Sequence, residues 1–111
     1  MKAFRITAEA RADIKGIYRY IAVDNRPAAI RQIARLYERF ALLATQPLMG
    51  ELRPDLAPQL RSFVIDLAPQ LRSFVIGNYV ILYRPASGTS KDVGIEVARI
   101  LHALRDIGSL F

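Results

Sequence analysis

Three apolar runs in the C-terminal half limit what this chain can become. Between Leu71 and Arg105 the segments 71–76, 79–84 and 94–101 each hold a strand's length of β-branched and aromatic residues. Gly77–Asn78 supplies a turn between the first two, and the polar stretch PASGTSKD supplies a loop before the third. Consecutive strands with short connections pair with their neighbours, so the expectation is an antiparallel meander. Each strand carries one arginine: Arg72, Arg84 and Arg99. The last strand runs on into the only histidine, His102, and then into a basic–acidic pair, Arg105–Asp106. Such a sheet has an apolar face to bury, and the first half of the chain has to cover it.

That half reads as an edge strand followed by two helices. Lys2 to Ile6 is a short alternating segment. Thr7 is placed to cap a helix, and Glu9 lies where the positive end of the helix dipole favours an acid. Ala10, Ile14, Ile17, Tyr18 and Ile21 recur at three- and four-residue spacing, one buried stripe. Pro27 turns Arg26 away from helical angles, which predicts an end near Asp24–Asn25, and itself suits the first turn of a second helix. There Ala29, Ile33, Leu36, Phe40 and Leu43 make a second stripe, with Arg31, Arg35, Glu38 and Arg39 opposite. So short a link makes the helices antiparallel neighbours, and Gln46, Pro47 and Gly50 stop the second. The expectation is one α+β domain over residues 1–111: an N-terminal edge strand, an antiparallel helical hairpin packed on an antiparallel meander, and a short C-terminal tail. Function is then expected on the opposite sheet face and in the tail.

Residues 55–65 and 66–76 are the same eleven letters, DLAPQLRSFVI, without one difference. Solenoids need longer units and at least three of them. Both LRSFVI halves have strand character, and Asp66-Leu67-Ala68-Pro69 between them can turn. Pro69 would remove a ladder donor, so one strand cannot run through both copies. An extra strand, a looped-out copy and competition for one slot are the outcomes open. The second copy is the expected native strand, because it leads directly into GNYVILYR.

Composition narrows the chemistry. There is no cysteine and a single histidine, so disulfides, thiolate catalysis and the usual metal sites are excluded. The six glycines are scattered and form no phosphate cradle, and no cofactor is expected. No apolar run approaches the ~20 residues that cross a bilayer, and the N-terminus lacks a signal peptide's apolar run. A cytoplasmic protein with no membrane partner is expected. Sixteen basic residues against ten acidic give a net charge of +6, and thirteen of the sixteen are arginine. That favours nucleic acid or an acidic protein through long-range attraction and planar, bidentate contacts. A GC-rich genome would produce the same excess without functional meaning.

In their order and spacing, the hairpin segment ARADIKGIYRYIAVDNRPAAIRQIARLYERFALLATQPLMGELRPDL, the strands LRSFVIGNYVILYR and the closing IEVARILHALRDIGSLF resemble the ParE branch of the RelE/ParE toxin superfamily. The stretches that carry the resemblance are Tyr18–Ile21, Asn25–Ala29, the Pro47–Gly50 break and Arg99–Ile107. It covers nearly the whole chain, and the exact duplication is the departure from it. The resemblance implies a bacterial type II toxin that poisons DNA gyrase. It also implies a ParD-like antitoxin wrapped on the hairpin, against Tyr18, Ile21, Arg31, Arg35 and Arg39. Promoter DNA would be reached only through the antitoxin complex. Target contacts would fall on Arg72, Arg84, Arg99, Arg105 and the tail residues Ile107, Leu110 and Phe111.

The RelE-type alternative is a ribosome-dependent endoribonuclease. Cutting through the 2′-OH needs a base, an acid and cations within hydrogen-bond reach of the phosphodiester. Arg61 or Arg72, with Tyr83, Arg84, Arg99, His102 and Arg105, are the residues of suitable type. Against it, none of the three lysines (Lys2, Lys15, Lys91) lies on the central strands, and the chain ends apolar. A third reading is a non-toxic partner that acts only as co-repressor with the antitoxin.

Overall fold

A computed structural model describes residues 3–60, 70–86 and 93–107. In chain order it has β1 (Ala3–Ile6), α1 (Ala8–Ala22), α2 (Arg26–Thr45), β2 (Glu51–Leu52), a 3-10 helix (Pro54–Gln59), β3 (Arg72–Ile76), β4 (Tyr79–Pro85), β5 (Val93–His102) and α3 (Ala103–Ile107). The strands form one sheet in the order β1-β5-β4-β3-β2. From β2 to β5 every pairing is antiparallel, as a meander requires. β1 instead runs parallel to β5. The two helices between β1 and the rest of the sheet form a crossover long enough to allow that direction.

Helix ends follow from local chemistry. The Thr7 hydroxyl accepts from the Ala10 N–H at 3.1 Å, and the Asn25 side chain accepts from the Ala28 N–H at 3.0 Å. Proline in the first turn of α2 loses nothing there, and α1 stops at Ala22, slightly before the expected boundary. Ala10, Ile14 and Ile17 of α1 and Leu36, Phe40 and Leu43 of α2 are buried against Tyr79, Ile81, Tyr83, Ile95, Val97 and Ile100. Phe4 joins them from β1, its ring 5.4 Å from Phe40. Gly94 lets the C-terminal end of α2 reach the sheet, because a Cβ there would collide with the Ala44 carbonyl. Gly77, at φ +58°, makes the β3–β4 turn.

The opposite sheet face is not open. Leu56, Leu71, Val80, Leu82 and Leu101 form a second buried cluster, with Ala57, Leu60 and Ala103 packed on it. The 3-10 helix, absent from the sequence expectation, supplies Leu56 and covers that face.

The described residues show opposite halves of the two copies. Asp55–Gln59 of the first copy lie in the 3-10 helix, whereas Arg72–Ile76 of the second copy form β3. The expected turn at 66–69, and Arg61, lie outside the described residues.

Candidate functional site

The arginines proposed from the sequence do not converge. Arg72 pairs across β3–β4 with Tyr83, so these two share a face. Arg84 follows Tyr83 directly and, by strand alternation, lies on the other face.

Arg72 and Tyr83 together hold the connection that leaves α2. The Tyr83 hydroxyl accepts from the Gly50 N–H at 2.7 Å and donates to the Pro47 carbonyl at 2.9 Å. Arg72 Nη1 donates to the Gly50 carbonyl at 2.6 Å and the Leu48 carbonyl at 3.2 Å. Four backbone bonds from two side chains replace what a regular element would provide over Pro47–Gly50. Burial pushes the Tyr83 phenol above its ordinary pKa, against the Gly50 N–H and the Arg72 charge, which favour the phenolate. A base for hydroxyl activation needs the reverse bias.

Arg84 forms an ion pair with Glu96, 3.2 Å away on the neighbouring strand. Arg99 is held by Asp13 of α1: Nε donates to Oδ2 at 2.6 Å and Nη2 to Oδ1 at 3.0 Å. Asp13 Oδ2 also accepts from the Ile100 N–H at 3.0 Å. These hydrogen bonds keep the Arg99 guanidinium more firmly charged than usual. The arrangement has a topological cause. β1 stops opposite Val97, which leaves the outer edge of β5 without a strand from Ala98 onward. Thr7 Oγ1 donates to the Ala98 carbonyl at 2.9 Å, and Asp13 takes the Ile100 N–H. Side chains at the start of α1 thus stand in for the missing strand. Arg99 pins α1 to the sheet.

His102 caps α3. Its Nδ1 accepts from the Arg105 N–H at 3.1 Å, while Asp106 Oδ2 accepts from the His102 N–H at 2.7 Å, a reciprocal capping arrangement. The imidazole meets the Tyr79 ring edge-on, with centroids 5.4 Å apart. Arg105 pairs with Asp106 at 3.3 Å and lies 5.9 Å over the Tyr20 ring. Burial raises the Asp106 carboxyl, and the His102 N–H and Arg105 more than offset that, leaving it below its usual value. Ile107 is the last residue of α3, and Leu110 and Phe111 lie outside the described residues.

On the hairpin, Arg31, Arg35 and Arg39 are exposed, while Tyr18 and Ile21 are half-buried. Ile21 packs on the core, and Tyr18 accepts from Arg26 Nε at 3.4 Å. Two functional partners escaped the sequence reading, Asp13 and Glu96. Asp13 sits between Ala10 and Ile14 of the buried stripe, an acid bordering an apolar face, and that was its signal. Glu96 had none, since its partner depends on strand register. Among the described residues no group of three or more His, Asp or Glu side chains could hold a metal. Nor is any helix among them long and apolar enough to cross a membrane.

A family profile described as "ParE toxin of type II toxin-antitoxin system, parDE" matches residues 4–107. No curated protein matches the sequence. Among solved structures, one titled "Chromosomal ParDE TA system from P. aeruginosa" is similar over 92% of this chain and 96% of its own, with a TM-score of 0.61 and 19% identity. At that identity the likeness concerns the fold.

Proposed function

The chain belongs to the ParE toxin family of type II toxin–antitoxin systems, and from that premise we propose that it inhibits DNA gyrase and is held inactive by a ParD-like antitoxin. The observation that carries the choice of target is the commitment of its arginines. Arg72 is bound to backbone carbonyls, Arg84 to Glu96, Arg99 to Asp13 and Arg105 to Asp106. RNA cleavage would need several of these groups, with a base, around one phosphodiester. Arg72 and Arg84 lie on opposite sheet faces, and His102 spends its Nδ1 lone pair on α3. This supports inhibition by binding over chemistry at a phosphate.

In this reading the antitoxin lies along α2, where Arg31, Arg35 and Arg39 have no acidic partner among the described residues and attract an acidic segment. Tyr18 and Ile21 border that surface. The tail from Arg105 onward makes the target contact, operator DNA is reached in complex with the antitoxin, and the protein works in the cytoplasm.

The test is a gyrase supercoiling and cleavage assay run beside mRNA cleavage on programmed ribosomes. Trapped DNA breaks with intact message are expected. Cut message with unaffected gyrase would replace this reading with the RelE-type one.

A further inference from the structure

We infer that the outer face of α1 is a contact surface for the phosphate backbone of duplex DNA, centred on Arg11, Lys15 and Arg19. This goes beyond the reading above, in which DNA is reached only through the antitoxin.

All three residues are exposed and none has an ion pair or hydrogen bond among the described residues. They stand four residues apart, so they form one row spanning about 12 Å of helix. No acid sits three or four positions from any of them. Asp13, on the same helix, is occupied by Arg99 and the Ile100 N–H. Ala8, Ala12 and Gly16, also exposed, run alongside at i−3 from each cation, so nothing bulky stands beside the charges.

Folding does not ask for this pattern. Like charges at i,i+4 repel one another, and Arg11 lies near the positive end of the helix dipole. Gly16 is mid-helix, where glycine is a poor helix former, and a Cβ there would meet nothing within 4 Å. Like-charge repulsion, Arg11 near the positive helix end and Gly16 share one surface, while Glu9 in the first turn and Arg19 in the last turn work in the helix's favour. Such local conflicts are expected where a surface is kept for a partner.

The face selects among anionic partners. A protein interface is anchored by aromatic or aliphatic groups, and this face offers them only at its C-terminal end, where Tyr20 and Val23 are exposed. Single-stranded nucleic acid is bound by stacking on successive aromatic rings, and this face carries one exposed ring, Tyr20, already faced by Arg105. Evenly spaced cations beside small residues fit a regular duplex backbone approached closely, with no reading of base sequence.

The test is fluorescence anisotropy of the full chain with a labelled duplex DNA of arbitrary sequence across a salt series. Removing the row with Arg11→Gln, Lys15→Gln and Arg19→Gln should flatten the plot of log K against log salt by about 2.7, at about 0.9 for each phosphate no longer neutralised. The variant should melt no lower than the wild type, since it relieves repulsion. A charge-matched variant, Arg31→Gln with Arg35→Gln and Arg39→Gln, should lose much less. Gly16→Leu keeps every charge and should weaken binding without changing the slope. Equal losses in the two triple variants would mean diffuse attraction and overturn the proposal. So would no measurable binding at low salt, or poly-glutamate bound more tightly than the duplex through the same three residues.

Discussion

If Arg99 is a structural brace and not a target contact, it must be energetically coupled to Asp13. The side chains are 20% and 16% exposed, so water screens them only in part. Exposed pairs contribute about 0.2–1 kcal/mol, and fully buried pairs cost about 3–5 kcal/mol to break. This pair falls between, with two side-chain bonds in bidentate geometry, and hydrogen bonds to charged groups are worth about 1.5–3 kcal/mol. Asp13→Ala also strips the acceptor from the Ile100 N–H, so it should cost about 3 kcal/mol and Arg99→Ala about 2 kcal/mol. The double variant should be more stable than the sum of the two losses implies, by about 2 kcal/mol, because the Ile100 loss cancels in the cycle. Arg99→Lys should recover little, since an ammonium cannot make the two-pronged contact. Urea unfolding followed by circular dichroism measures all of these proteins. For a domain of this size each 1 kcal/mol also moves Tm by roughly 4–8 °C. A coupling below about 0.5 kcal/mol, or an Arg99→Ala protein of wild-type stability that no longer acts on its target, would refute the bracing role.

Tyr83→Phe should cost about 2 kcal/mol in the same unfolding assay, because the buried Gly50 N–H and the Pro47 carbonyl both lose their partner. Since burial raises the phenols of both Tyr83 and Tyr79, unfolding should become easier as pH climbs above the ordinary tyrosine range; Tyr83→Phe should make that alkaline limb shallower, leaving the share of Tyr79. Asp106 has a depressed folded pKa, so its contribution is present above the ordinary carboxylate range and is lost as pH falls through the folded value. Protection of the His102 amide, measured as exchange relative to its intrinsic rate, should therefore fall in acid, and an Asp106→Asn protein should show no such step. Deleting residues 66–76 joins the first copy's DLAPQ directly to the same strand sequence, and should change stability by less than about 2 kcal/mol. Loss of cooperative unfolding in that shortened chain would show that the extra length is needed.

Much of the architecture was legible along the chain. Apolar spacing in α1 and α2, the caps at Thr7 and Asn25, and the break at Pro47–Gly50 are local signals, and each element appears where its signal lies. The site was less legible. Arg72, Arg84 and Arg99 look alike in sequence, one to a strand, yet each meets a different partner on a different element. The far sheet face was expected to be free, but the 3-10 helix covers it with Leu56.

The sequence alone determined where β1, α1, α2 and the strands β3 to β5 form, because periodicity, capping and turn chemistry act over a few residues. It also excluded thiolate chemistry and the usual metal sites, since the required side chains are absent. Tertiary structure decided which groups are available to a partner. β1 ends one residue short of Ala98 in its pairing with β5, and that register recruits Asp13 and consumes Arg99. The first copy's DLAPQ, which follows β2, forms the 3-10 helix at 55–59, and the second copy's RSFVI, which enters the tight Gly77–Asn78 turn onto β4, forms the strand at 72–76. Antiparallel pairing with β4 is what holds the second copy's RSFVI in the sheet.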